Sequence, residues 1–117
     1  MNTLKGLECN DNLLTSLDVS NQPALEELYC GGNKLTSLDV SKEAALIGLG
    51  CGFNQLNLLD ISNNSELSVL EGNDNQLTTV NTLKNTKLHR FNCRRNHIES
   101  LDLRQNIVLS YLCCCCS

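Results

Sequence analysis

Eight cysteines, two histidines and a recurring aspartate are the side chains of this 117-residue chain whose types and spacing could do chemistry. Five of the cysteines fall in one column (Cys9, Cys30, Cys51, Cys93 and Cys114), and the others crowd into the run Cys113–Cys116. A thiol becomes a nucleophile when a base lies within hydrogen-bond reach and its surroundings favour the thiolate. His89 and His97 bracket Cys93. However, an inward-facing Cys93 with His89 ahead of its strand and His97 in the following bend makes no catalytic pair. Zinc needs two matched CxxC halves, and Cys113 with Cys116 supplies one. The tail Cys114-Cys115-Cys116-Ser117 matches a prenylation box only in outline, because its middle residues are not aliphatic. Asp18, Asp39, Asp60 and Asp102 form another column, with Asn81 among them. Stacked carboxylates repel, and Ca²⁺ could relieve the repulsion, but one acid per repeat flanked by Leu and Val or Ile offers too few oxygens. The residues therefore predict solvated aspartates and buried free thiols, with no catalytic residue, metal site or cofactor.

The elements that position these columns follow from a period of 21. Blocks begin at Leu4, Leu25, Leu46, Leu67, Leu88 and Leu109, with no insertion between them, and are called coils one to six below. Each carries LxxLxC or a close variant, then an Asn column (Asn12, Asn33, Asn54, Asn75, Asn96), an aliphatic residue and a closing aliphatic pair such as Leu17 and Val19. Leu and Cys two residues apart face the same way, which is strand alternation. One block cannot bury its apolar face alone, whereas stacked blocks bury a continuous aliphatic spine. No stretch has helical periodicity, so the return side is expected to be short extended segments rather than helices. The Asn side chains are expected to turn inward and bond backbone groups that the bend leaves unpaired. Cys9, Cys30, Cys51 and Cys93 are read as small buried apolar residues whose parallel Cβ vectors disfavour bridging. The reading is one β-rich solenoid over residues 1–117, about five and a half coils with a parallel sheet.

These blocks resemble 21-residue leucine-rich repeats. LECNDNLLTSLDVSNQPAL, LYCGGNKLTSLDVSKEAAL and LGCGFNQLNLLDISNNSEL, with Cys in place of one strand Leu, are similar to internalin J-type bacterial surface proteins. The resemblance implies a right-handed solenoid with its parallel sheet on the concave face, binding other macromolecules as an adhesin or receptor, and an extracellular or cell-surface setting. Coil four departs from it with Gly72 for Cys and Val80-Asn81-Thr82-Leu83 for the LDVS segment. Coil five departs with Leu103-Arg104-Gln105. Both departures predict local weakness. The chain has no capping segment and no secretory signal, so it reads as a piece of a longer array. Its exposed edges invite end-to-end self-association.

Outward positions of the first strands vary in type while the core columns do not, which is how a scaffold carries a site. The expected partner-binding residues are Glu8, Asp11, Glu27, Tyr29 and Phe53 toward one end. Glu71, Asp74, Arg90, Asn92, Arg94 and Arg95 continue them toward the other. Residues 1–82 carry net −8 and residues 83–117 net +4, so the face is polarised and should steer a charged partner. An overall charge of −4 and a pI near 5.0 argue against nucleic acid, and no apolar run is long enough to span a membrane. The function expected is a protein- or glycan-binding module, with spacer repeats of a larger surface protein as the alternative and a Ca²⁺- or thiol-dependent unit as a weaker one.

Overall fold

The computed structural model describes residues 3–114. The CxxC and prenylation readings of the tail depend on Cys115, Cys116 and Ser117, which lie outside the described residues. Six three-residue strands, β1 (Gly6–Glu8), β2 (Glu27–Tyr29), β3 (Gly48–Gly50), β4 (Val69–Glu71), β5 (Arg90–Asn92) and β6 (Tyr111–Cys113), form one parallel sheet in chain order. Pairing is in register at every step, with Leu7, Leu28, Leu49, Leu70, Phe91 and Leu112 side by side. The described residues contain no helix, so the return side is turns and extended backbone, and none of it could cross a membrane as a helix. This is the parallel-sheet solenoid that the period of 21 predicts.

Each strand points its central residue inward. Leu25, Leu28, Leu46, Leu49, Leu67, Leu70, Leu88 and Phe91 are almost wholly buried, as are Leu35, Leu56 and Leu77 beyond the bend. At roughly 1.5–3 kcal/mol for each fully buried aliphatic side chain, this spine is the main apolar contribution to stability. Backbone pairing continues past the strands: Cys30 N donates to Gly50 O at 2.8 Å, Gly32 N to Gly52 O at 2.9 Å and Gln55 N to Leu35 O at 2.9 Å.

Two amide ladders close the corners. At the first, Asn54 Nδ2 donates to Cys30 O and Cys51 O, both at 3.0 Å, while its Oδ1 accepts Leu35 N at 3.0 Å. Asn33, Asn75 and Asn96 repeat the arrangement one coil earlier and one and two coils later. Asn12, in coil one, is exposed and bonds only Cys9 O and Asn10 O. The second ladder lies on the return side and is not among the columns recognised in the sequence. Asn64, Asn85 and Asn106 are buried, and each donates to two carbonyls of the preceding coil.

The aspartate column caps tight turns. Asp18, Asp39 and Asp60 each accept the backbone N–H two residues on, at 2.9 Å, and hydrogen bonds from Ser20, Ser41 and Ser62 hold their carboxyls below the usual range. Arg104 does the same for Asp102, lowering it to about 2. Asn81 accepts Leu83 N at 3.0 Å, so the neutral substitute keeps the turn. The Asn81 position of coil four therefore has the same turn bond as its aspartate counterparts. Thr82 is buried with its hydroxyl donating to Asn106 Oδ1 at 2.7 Å, and the space beside Gly72 is bordered by Leu77.

The cysteine column needs one correction. Cys9, Cys30 and Cys51 are free, but Cys93 and Cys114 are joined in a disulfide at a Cα–Cα separation of 4.7 Å. That separation is inside the bridging range, and Cys114 sits half-buried at the rim of the stack, where its sulfur can turn toward its neighbour as a closely packed interior position would not allow.

Asn54→Ala removes two donors and orphans the buried Leu35 N–H. The expected loss is about 2–4 kcal/mol of unfolding free energy in urea. Asn12→Ala, at the exposed equivalent position, should cost less than about 1 kcal/mol. Equal losses at the two positions would contradict the ladder as a source of stability.

Candidate binding face

The outward residues of the sheet make a continuous surface whose middle is floored by glycine. Tyr29 leans from β2 across β3, so that a Cβ at Gly50 would lie 2.7 Å from its ring and one at Gly48 2.9 Å from its hydroxyl. Only bare backbone permits that approach. The Tyr29 hydroxyl donates to Glu27 Oε1 at 3.0 Å, and burial together with the Glu27 carboxylate pushes the phenol up. Beside the ring lies an open trough of about 300 Å³, bounded by Asn10, Asp11, Phe53, Glu71 and Asn73 over Gly31, Gly32, Gly50 and Gly52.

Five of the expected binding residues are not on strands: Arg94 lies two residues past β5, and the other four share one column position. Asp11, Phe53, Asp74 and Arg95 lie three residues past the strand ends, at φ 59°, 55°, 59° and 56°, and Gly32 takes φ 68° at the same column position. Coils one to five thus each turn through the left-handed region at one place, where a side chain other than Gly is strained by roughly 1 kcal/mol or more. Phe53 pays this cost and remains 60% exposed. The column escaped sequence reasoning because its members share no chemistry. Its only signal is the constant position just before the ladder Asn.

Glu8, Glu27, Arg90 and Asn92 do lie on strands with Tyr29 and Glu71. The acidic and basic halves of the face meet in ion pairs across coils four and five. Arg90 Nε is 3.6 Å from Glu71, Arg95 Nη1 is 3.5 Å from Asp74, and the Arg90 guanidinium stacks 4.0 Å from the Tyr111 ring centroid. The polarity read from the sequence is therefore quenched at its seam. Glu8 and Asp11 remain exposed at one end and Arg94 at the other.

The groups suited to chemistry are arranged otherwise than for a thiol nucleophile. Cys93 is held in its disulfide, and His89 Nδ1 lies 2.6 Å from Ser68 Oγ on the exposed surface. Burial pushes the Cys30 thiol up to about 12 and raises Cys51 likewise, which keeps both protonated and inert. Among the described residues no cluster of three or more His, Cys, Asp or Glu could hold a metal ion.

No protein-family model and no curated protein matches the chain. Solved structures do. The functional domain of InlJ from Listeria monocytogenes, which includes a cysteine ladder, is 35% identical with a TM-score of 0.72 over 97% of this chain and 30% of that one. The internalin InlF from the same organism is 26% identical, with a TM-score of 0.84 over 93% of this chain and 34% of that one. A leucine-rich repeat protein of Leptospira interrogans is 27% identical, with a TM-score of 0.83 over 94% and 31%. The chain thus spans about a third of the length of the structures it matches.

Phe53→Gly should relieve the left-handed strain and raise unfolding free energy by about 1 kcal/mol, read from urea midpoints. A loss of stability would mean that Phe53 packs into the scaffold. Alkylation at pH 8, mapped peptide by peptide, should modify Cys9 and Cys113 readily. Cys30 and Cys51 should react roughly a hundredfold more slowly until the chain is denatured. The Cys93 and Cys114 peptides should be recovered linked before reduction.

Proposed function

Since the chain is a leucine-rich repeat protein of internalin-like build, we propose that it is a protein-interaction module whose partner docks on the strand face, in the trough between Tyr29 and Phe53. The observation that carries this reading is Phe53, a large exposed aromatic kept in a backbone conformation that glycine would occupy without strain. Exposed aromatics beside a pocket are the side chains on which interface energy concentrates. Tyr29 supplies a second, already positioned ring, and the glycine floor lets a partner approach the backbone closely. Glu8, Asp11 and Glu27 around the near end favour a basic segment, with Arg94 marking the opposite end of the face. Glu71, Asp74, Arg90 and Arg95 act mainly on one another, and Asn92 accepts the Arg94 N–H beside them. Binding needs no chemistry at these residues, only shape and charge, as an adhesin or receptor would use them.

Selection of a random displayed-peptide library on the immobilised chain tests the proposal. The enriched peptides should carry Lys or Arg and should bind Phe53→Gly about tenfold or more weakly, a change of about 1.4 kcal/mol. Peptides that bind the two forms equally would place the site elsewhere. Failure to enrich any peptide, with retention of oligosaccharides from a glycan array, would replace the protein partner with a glycan.

A further inference from the structure

The second ladder contains one member of the wrong chemistry. Its positions are Gln22, Glu43, Asn64, Asn85 and Asn106, one per coil. In the last three the amide NH₂ donates to two backbone carbonyls, 24 and 21 residues earlier. Asn64 bonds Val40 O at 3.1 Å and Glu43 O at 2.8 Å, Asn85 bonds Ile61 O at 3.0 Å and Asn64 O at 2.9 Å, and Asn106 bonds Thr82 O at 3.0 Å and Asn85 O at 2.9 Å. By the same register, the carbonyls at the corresponding positions before Glu43 are Val19 O and Gln22 O. Glu43 is fully buried, and neither of its carboxyl oxygens has a hydrogen-bond partner. Gln22 Oε1 and Asn64 Oδ1, the ladder oxygens on either side, are buried without partners as well. An ionised carboxylate has no donor here and would face only carbonyl lone pairs, whereas a carboxylic acid has an O–H to give.

We infer that Glu43 is protonated in the folded chain at neutral pH and donates its hydroxyl to Val19 O or Gln22 O, so that a single proton ties coil two to coil one. The charges around it favour the same state. Burial raises the carboxyl above its ordinary value, Asp39 in its own coil and Asp18 in the coil before oppose ionisation further, and Lys42 favours it less strongly. The coil after it offers the neutral Asn64 and Asp60, whose carboxylate is taken up by Ser62. When the proton leaves, a buried anion confronts two carbonyls and the contact between coils one and two loosens. Below pH 4.5 both folded and unfolded chains are protonated and this contribution to stability is complete. It is lost as pH rises toward the folded value, with the unfolding constant of that contact growing by up to about tenfold per pH unit, and the loss then levels off. Asp11 of coil one and Tyr29 of coil two border the trough together, so on the reading proposed above binding weakens over the same range. The readouts below do not depend on that reading.

Glu43→Gln, in the full 117-residue chain, tests the inference by restoring the donor. Urea midpoints of the native chain should fall between pH 5 and pH 8, while those of Glu43→Gln stay nearly level and exceed the native ones at pH 8. The native chain at pH 7 should also show the infrared carbonyl band of a protonated carboxylic acid, absent from the variant. Because native-chain spectra suffice for this band, it decides the matter even if Glu43→Gln folds poorly. Parallel pH profiles in the two forms, or no acid band, would overturn the inference. So would a native midpoint at pH 8 that rises with millimolar CaCl₂, because a cation would then hold the place assigned to the proton.

Discussion

A chain that turns back on itself every 21 residues must find partners for the carbonyls and amides that each bend leaves behind, and asparagine meets that need here. One side chain donates to the carbonyls of two successive coils and accepts an amide from the earlier of them, so each ladder residue bridges neighbouring coils. A buried backbone group without a partner would cost about as much as a buried leucine beside it contributes. The aliphatic spine supplies most of the driving force, but the ladders set the spacing and register in which leucine meets leucine. Placing amides at two corners leaves little freedom for a coil to slip.

Because the scaffold's requirements are met by inward residues, the strand face is free to differ from coil to coil. That freedom is visible in the left-handed column, where Asp, Gly, Phe, Asp and Arg follow one another at nearly the same φ. It is visible again in the charges, which form cross-coil pairs at Glu71–Arg90 and Asp74–Arg95 and leave the two ends of the face with opposite unpaired groups. Binding in such a molecule is a matter of which side chains are hung on fixed positions.

The solenoid was legible in the sequence because its constraints repeat with the residue type: leucine where the interior is, asparagine where the first bend is, and no helical period between them. The second ladder was not, because Gln22, Glu43 and the three asparagines share a geometry rather than a letter. The left-handed column was hidden for the same reason. The Cys93–Cys114 bridge contradicts a sound rule about parallel Cβ vectors, since a half-buried sulfur at the rim of the stack is not bound by the packing that constrains an interior one. The aspartates were placed on the surface by their flanking residues, but their task as turn caps depended on which amide each carboxylate would meet. The ion pairs were within reach of the same period of 21, since Lys5 and Glu26, Glu66 and Lys87, and Asp74 and Arg95 stand one coil apart.

The ring of Tyr29 lying over Gly48 and Gly50 makes three positions answer to one another. A methyl group at either glycine would displace the aromatic, while a smaller residue at position 29 would bare two stretches of main chain. Drift at any one of them is therefore penalised until the others change as well. In a molecule whose outward residues are otherwise replaceable one by one, this trio has to be inherited, or lost, as a set.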